Sequence, residues 1–283
     1  MDLFDIVSVN VRGINSDEKR LKLYEWLRDI NVNIAFLQET HYIEKNEVKY
    51  NSRWFGKSYH CYSESQFSKG VSILFKKDLN VDILEKHTSI DGRRLFLKVK
   101  IDDDIFSLVN VYAPNNIKER CTFYAKLHKF LNNKISEENV IICGDFNCKI
   151  DNTADKSSRK LKEILTSLEL FDSWKNKHPD LNGYTWCNAN DIPYSRIDYV
   201  FISKNFIYDI EKISIRKIPG QVAQKRLSDH RLLKIQFKTS HNERGRGYWK
   251  LNNSHINNSE YKMGIQNLII EIKNDTSKKP EDK

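Results

Sequence analysis

The stretch Ile142-Cys143-Gly144-Asp145-Phe146-Asn147 decides how this chain is read. An apolar run, Val140–Cys143, stops at a glycine, and an aspartate and an asparagine follow two positions apart, on one side of an extended chain. The same arrangement recurs outward from it. Val9-Asn10-Val11-Arg12-Gly13 ends the first apolar run in an amide and a cation, and Phe36-Leu37-Gln38-Glu39-Thr40-His41 ends another in a carboxylate. Asn110-Val111-Tyr112-Ala113-Pro114-Asn115 closes on a tyrosine and an asparagine around a turn-making proline. Ser195-Arg196-Ile197-Asp198-Tyr199 opens a run with Asp198, and Leu227-Ser228-Asp229-His230 precedes the last one. Taken singly, each fragment is explained as a turn or a helix cap. Six of them, all at strand boundaries and chemically complementary, read as a site carried on loops of a rigid scaffold.

The runs themselves set the architecture. Phe4–Val11 alternates, and Ile34–Gln38, Val71–Phe75, Leu95–Ile101, Ile105–Tyr112, Val140–Cys143, Ile197–Ile202 and Leu232–Phe237 are rich in Val, Ile, Leu and Phe. Helical period occupies Glu18–Ile30, Glu119–Asn132 and Arg159–Leu170. The runs 95–101 and 105–112 predict a hairpin, with Asp102-Asp103-Asp104 as its solvated turn rather than a metal cluster. Strands outnumber helices, which predicts sheet packed on sheet with helices outside. Patterning stops near Phe237. Residues 1–238 are therefore expected to form one domain and 239–283 an appendage. The appendage holds a polar linker (Thr239–Gly247), an aromatic island at Tyr248–Leu251 containing Trp249, and a weakly helical Tyr261–Ile272.

Composition narrows the classes. The chain has 283 residues, 39% of them apolar and 11% aromatic, enough for a core and too much for global disorder. No stretch approaches the ~18 apolar residues of a membrane helix, and the acidic, alternating N-terminus is not a signal peptide. Cys61, Cys121, Cys143, Cys148 and Cys187 are scattered without a zinc-site pattern, which predicts free thiols and an intracellular, soluble protein. Lys plus Arg outnumber Asp plus Glu by 47 to 38, a balance of +9 that leans toward a polyanionic partner without proving one. Trp26, Trp54 and Trp174 are read as core or boundary residues, and Lys76-Lys77 and Arg93-Arg94 as solvated surface.

The strand-end residues suit phosphodiester hydrolysis. Glu39 supplies a hard anionic oxygen for Mg2+, which needs only one or two protein carboxylates. Asp145 suits a general base, with Asn147 orienting the attacking water. His230 beside a carboxylate such as Asp198 is expected to stay protonated and aimed at the phosphate. Tyr112 and Asn115 offer hydrogen bonds to the non-bridging oxygens. No acyl-transfer triad order, P-loop or GxGxxG stretch competes.

In order, the motifs NVRG, LQETH, GVSILF, NVYAPN, GDFN, SRIDYVFIS and SDHRLL, spanning residues 4–237, resemble the endonuclease/exonuclease/phosphatase superfamily. Within it the chain looks like the apurinic-endonuclease-type domain that opens the second open reading frame of non-LTR (LINE) retrotransposons. The tail GRGYWKLNNS at Gly245–Ser254 resembles the segment leading toward their reverse transcriptase. The resemblance implies a DNase-I-like, four-layer α/β sandwich of two packed mixed sheets flanked by helices. It implies Glu39 as principal metal ligand with Asn10 nearby, Asp145 and Asn147 at the attacking water and scissile phosphate, and His230–Asp198 on the phosphate. Asp229 would assist the metal or the leaving group, and Tyr112, Asn115 and Thr185 would line the phosphate pocket. Ser228 and Arg196 join the DNA-contacting set.

Two departures refine this. Arg12 stands where repair-type apurinic endonucleases usually carry Asp, and is expected to meet DNA backbone. Ser195 falls where those enzymes have a bulky aromatic walling the abasic sugar, which favours intact duplex as substrate. The stretch Cys187–Tyr194 would form a hairpin against the minor groove, its amides and Ile192 reading groove width more than base identity.

The function implied is a Mg2+-dependent endonuclease, with Mn2+ as a substitute, that nicks one strand of double-stranded DNA. The 3′-hydroxyl left behind primes reverse transcription of the element's RNA. Partners would be duplex DNA, element RNA and a reverse transcriptase domain of the longer protein, with action in the nucleus and a monomeric isolated domain. Rivals are an apurinic-site repair endonuclease and a catalytically inactive DNA-binding module.

Overall fold

The computed structural model describes residues 3–65, 67–135, 139–188, 190–222 and 225–238, with scattered positions between 259 and 270. The strands, in chain order, are β1 (Leu3–Asn10), β2 (Ile34–Gln38), β3 (Ser58–Cys61), β4 (Val71–Phe75), β5 (Val81–Thr88), β6 (Arg94–Ile101), β7 (Asp104–Tyr112), β8 (Asn139–Asp145), β9 (Leu170–Asp172), β10 (Trp186–Cys187), β11 (Pro193–Ser195), β12 (Asp198–Ser203), β13 (Ile210–Arg216), β14 (Gln221–Val222), β15 (Lys225–Arg226) and β16 (Leu232–Lys238). The helices are α1 (Asp17–Asp29), α2 (Glu47–Asn51), α3 (Ile117–Lys134), α4 (Lys156–Ser167) and α5 (Ser173–Lys177).

Two six-stranded sheets form the body, ordered β13-β16-β1-β2-β4-β3 and β5-β6-β7-β8-β12-β9. Both are mixed: β1 runs parallel to β2, and β7 parallel to β8, while the other pairs are antiparallel. Ile6, Phe36, Leu97, Leu108, Ile141 and Ile235 belong to the core between the sheets. Val7, Val9 and Leu37 alternate to the outer face of the first sheet, under Leu23, Tyr24 and Leu27 of α1. Phe96, Val109 and Ile142 do the same on the second sheet, under Tyr124 and Leu127 of α3 and Leu161 and Ile164 of α4. A period-2 strand with both faces buried thus builds two cores, and the result is a four-layer α/β sandwich.

Helix positions follow their caps. Asn116 Oδ1 accepts the N–H groups of Lys118 (2.9 Å) and Glu119 (3.2 Å) at the start of α3. The Asp155 side chain accepts from Ser157 N, so α4 begins three residues before Arg159. Leu170, expected at the end of that helix, instead opens β9. The edge strands β5 and β13 escape a search for apolar runs because they carry exposed charged or polar residues, as edges do, and β3 escapes it because its four residues, Ser58–Cys61, are too few and too polar to form such a run. Asp102 sits in the tight turn joining β6 to β7 with φ +53°. Contacts divide the chain into Met1–Thr239 and Ser240–Lys283. In the second unit the described positions 259, 262–264, 266, 267 and 270 are helical, while Tyr248–Leu251 lies outside the described residues.

Gly144 decides how closely β8 approaches β7. A Cβ there would stand 2.0 Å from the Val111 carbonyl oxygen. Gly144→Ala is expected to cost about 1–3 kcal/mol or more, as overpacked positions do, read as a lower midpoint in urea unfolding.

Candidate active site

Strand register brings the site together. Asp145 ends β8 directly opposite Tyr112 of β7 on one side and Asp198 of β12 on the other. In the other sheet Asn10 ends β1 opposite Gln38 of β2, one residue before Glu39. The chain then leaves these strand ends under strain: Arg12, Glu39, His41 and Asn147 all take φ between +48° and +60°, unusual for residues with a Cβ. Gly13 makes room for this, since a Cβ there would come within 2.6 Å of His41 Nδ1.

Asn10 joins the sheets. Its buried Nδ2 donates to Glu39 Oε1 (2.7 Å) and to Asp145 Oδ2 (2.9 Å). Burial alone would raise the Glu39 pKa, but hydrogen bonds from His41, Asn10 and Tyr112 outweigh it and hold the carboxylate near about 2. Below this contact a second tie locks the sheets: Gln38 Nε2 donates to Asn110 Oδ1 (2.8 Å), and Asn110 Nδ2 to the carbonyls of Leu37 (3.0 Å) and Ser72 (2.8 Å).

Across the site His230 Nδ1 lies 2.9 Å from Asp198 Oδ2, and its Nε2 lies 3.8 Å from Asp145 Oδ2. Burial disfavours the charged ring, yet Asp198 and Asp145 more than offset it and lift the pKa to about 10. The ring is an imidazolium at neutral pH. Asp145 moves the other way from an ordinary acid: burial, then repulsion from Asp198, push it up to about 7 against the pull of His230 and Asn10. One carboxylate firmly ionised and another poised near neutrality are the environments that acid–base chemistry requires.

The remaining sequence-selected residues divide. Arg12 is exposed, its Nη1 3.0 Å from Asp229 Oδ2, and Asp229 also accepts from Trp186 Nε1 (3.3 Å). Ser228 Oγ donates to the Asn10 carbonyl (2.6 Å) and receives the His230 N–H (3.0 Å), so it positions the loop. Asn115 and Ile192 are exposed. Asn147 donates through Nδ2 to the Ala113 carbonyl (2.8 Å) and through its backbone N–H to Asp145 Oδ1 (2.9 Å), bracing the base.

Three expectations need correcting. Thr185 does not line a phosphate pocket: it is fully buried, and its Oγ1 accepts the N–H groups of Ile197 (3.2 Å) and Asp198 (3.1 Å), aligning Asp198. Arg196 is not available to DNA, being 7% exposed, paired with Asp172 and stacked 4.6 Å over the Tyr199 ring. Arg93 is no plain surface cation: it lies 5.0 Å over the Tyr112 ring and donates to the Tyr112 carbonyl (3.2 Å). His41, 3.4 Å from Glu39 Oε2, and Lys19, whose Nζ holds the carbonyls of Val11 and Arg12, were also absent from the sequence reading. The histidine was legible in LQETH. Lys19 lies in a helix and gave no signal.

For a metal, the donor set decides. The ligand atoms of Asp145, Asp198 and His230 lie within 4.8 Å of one another. A protonated imidazole whose Nδ1 is already held by Asp198 is a poor ligand, however. The ionised, partly exposed carboxylate of Glu39 is the hard oxygen that a small divalent cation takes. Glu39 fits a metal, and the buried trio fits a proton-bearing group.

Sign follows from these values. His230 binds its proton more tightly folded than unfolded, so its stabilisation is complete below the ordinary value of 6.5 and fades as the pH rises through about 10. In metal-free protein the His230 ring is expected to keep its second proton from pH 6 to 8, read by NMR as two protonated ring nitrogens, with only the smaller shift that ionisation of Asp145 imposes. Asp198→Asn is expected to bring the loss of that proton down into the neutral range; an unchanged titration would refute the pairing.

A sequence profile of the endonuclease/exonuclease/phosphatase family matches residues 7–230. Over 270 residues the chain is 27% identical to the "Transposon TX1 uncharacterized 149 kDa protein" of Xenopus laevis, covering 92% of this chain but 20% of that protein. It is 28% identical over 242 residues to an exodeoxyribonuclease of Bacillus subtilis, covering 74% of this chain and 92% of the relative. A 3′ phosphatase from Neisseria bound to product DNA hairpin superposes with a TM-score of 0.68 at 18% identity, covering 83% of this chain and all of that one. An AP endonuclease from Archaeoglobus fulgidus does so with 0.67 at 19%, with the same coverage. Among the described residues no helix is long and apolar enough to cross a membrane. With the sandwich, the strand-end carboxylates and the profile in agreement, this chain belongs to the endonuclease/exonuclease/phosphatase family, as a nuclease-type enzyme of a family in which divalent-metal dependence is typical.

Proposed function

We propose that the protein is a Mg2+-dependent endonuclease that nicks one strand of duplex DNA and leaves a 3′-hydroxyl to prime reverse transcription of a retrotransposon. The observation that carries the chemistry is the Asn10 amide spanning Glu39 and Asp145, with the Asp198-held imidazolium 3.8 Å from Asp145. Asp145, poised near neutrality, accepts a proton from the attacking water. The His230 imidazolium offers a donor to the phosphate oxygens as charge builds on them, while the Tyr112 hydroxyl supports Glu39. The bond from phosphorus to O3′ breaks, the departing oxygen takes a proton from solvent, and the phosphate remains on the 5′ end. A divalent ion held by Glu39, with Asn10 beside it, would neutralise charge on the phosphate.

The transposon relative supports the retrotransposon setting, since it matches this chain along 92% of its length. Element RNA and a reverse transcriptase domain are then the partners, and the nucleus the place of action. Ser195, small and 5% exposed, offers no aromatic wall for an abasic sugar, which favours intact duplex over a repair substrate.

Supercoiled plasmid with Mg2+ is expected to relax by single-strand nicks, Mn2+ is expected to replace Mg2+, and EDTA to abolish the reaction. Glu39→Gln and Asp145→Asn are each expected to lower the rate by roughly a thousandfold, the scale of losing one transition-state contact. An intact plasmid, with efficient cutting of an oligonucleotide bearing an abasic site, would overturn this reading in favour of a repair enzyme. Equal nicking by the variants would remove their catalytic roles.

A further inference from the structure

After Asn10 the chain runs alongside the segment that carries Glu39. Val11 N donates to the Gln38 carbonyl (2.9 Å), Gly13 N to the Glu39 carbonyl (2.6 Å) and Ile14 N to the Thr40 carbonyl (3.1 Å). Arg12 interrupts this pattern. Its N–H turns back to Asn10 Oδ1 (3.0 Å), and its backbone takes φ +49°, with Gly13 beside it at +78°. A residue with a Cβ stays in that region only where its surroundings hold it there.

The holding group is Lys19, half-buried in the first turn of α1, whose Nζ donates to the carbonyls of Val11 (2.8 Å) and Arg12 (2.9 Å). The helix gains nothing from a cation there, because positive charge in a first turn opposes the helix dipole. The gain lies in the loop. The Val11 carbonyl and the Arg12 N–H belong to one planar trans peptide and point in opposite directions. Lys19 takes one edge of that peptide, and Asn10 Oδ1 receives the other. The two ends of a carboxamide have nearly the same shape and opposite hydrogen-bonding character. In Asn10 the Nδ2 end must face Glu39 and Asp145, since a reversed amide would set its oxygen against two carboxylates. Ser228 Oγ fixes only the main-chain carbonyl of Asn10. What tells the two ends apart is the Arg12 N–H.

We infer that Lys19 is a positioning residue: by clamping the Val11–Arg12 peptide it fixes the orientation of the Asn10 carboxamide, and through that amide the spacing of Glu39 and Asp145. This role rests on the catalytic reading above. Lys19 acts through the main chain rather than on the substrate, and two of the three donors an ammonium carries are spent on carbonyls.

Nicking of plasmid with Mg2+ is compared in wild type, Lys19→Met, Lys19→Arg and Lys22→Met, with melting curves recorded for each. Methionine keeps the length and helix preference of lysine while removing its donors, and Lys22→Met removes a neighbouring cation of α1 that pairs with Glu18. Lys19→Met is expected to lower kcat by about tenfold or more, the scale of one charge-assisted hydrogen bond, with KM and melting temperature unchanged. Lys19→Arg is expected to recover most of the loss, and Lys22→Met to keep the wild-type kcat. Added to Asn10→Ala, Lys19→Met is expected to lower kcat no further, as befits two residues acting as one unit. Additive losses, or a raised KM at unchanged kcat with a shallower salt dependence of binding, would overturn the role in favour of a direct phosphate contact. A second readout needs no activity. In isotope-labelled, metal-free protein the side-chain amide signals of Asn10 are assigned by their loss in Asn10→Ala. Lys19→Met is expected to shift them and to speed their hydrogen exchange; unchanged signals at the wild-type melting temperature would overturn the role. Should Lys19→Met melt early, Lys19→Gln is read in its place by the same criterion. If wild type leaves the plasmid intact, the nicking reading is what fails, and the amide signals decide the positioning role by themselves.

Discussion

One buried amide holds the site to the fold. Asn10 Nδ2 donates to Glu39 at the end of one sheet and to Asp145 at the end of the other, so the two carboxylates keep their spacing only while the sheets keep their register. The apolar core between the sheets is non-directional and would tolerate sliding. Directional ties prevent it: Gln38 and Asn110 form hydrogen bonds between the sheets one layer below, in a region with no exposure to water. Buried polar groups of this kind are costly when unpaired, which makes one arrangement of the sheets far better than its neighbours.

The electrostatics follow from that spacing. Three carboxylates and an imidazole share a small volume, and repulsion among them is relieved in different ways. Glu39 is stabilised as an anion by three donors. Asp198 is matched by the imidazolium of His230. Asp145, buried between them, is left as the group that ionises least easily. Asp229, at the rim, is paired with Arg12. An arginine at that position returns positive charge to a cleft that would otherwise be strongly acidic, and Lys19 behind it adds more, its own pKa lowered to about 8 by burial and by Arg12.

Much of this was legible in the sequence because strands end where their chemistry begins. Six motifs named Asn10, Glu39, Tyr112, Asp145, Asp198 and His230 without any structure, and the structure gathers all six at one end of the sandwich. The errors share a cause. Thr185 and Arg196 lie just outside the strands β10 and β12, where strand alternation does not say which side chains face the cleft and which are buried. Arg93 looked like surface because its partner, the Tyr112 ring, lies on a neighbouring strand. The edge strands β5 and β13 leave little apolar signal because charge on an exposed edge erases it, and β3 because it is only four residues long.

The sequence by itself determined the packing of sheet on sheet and the chemical inventory, which depend on periodicity and on residue types at strand ends, and the order of its motifs carried the resemblance to the family. Only the tertiary structure decided which inventory members touch. It made Thr185 an aligner of Asp198 and bound Arg12 to Asp229. The physical reason is that pairing across strands and sheets joins residues far apart in the chain, as for Asn10 and Asp145, 135 positions apart, or Arg12 and Asp229, 217 apart. Such distances are set by the register of packed strands and leave no mark on local sequence.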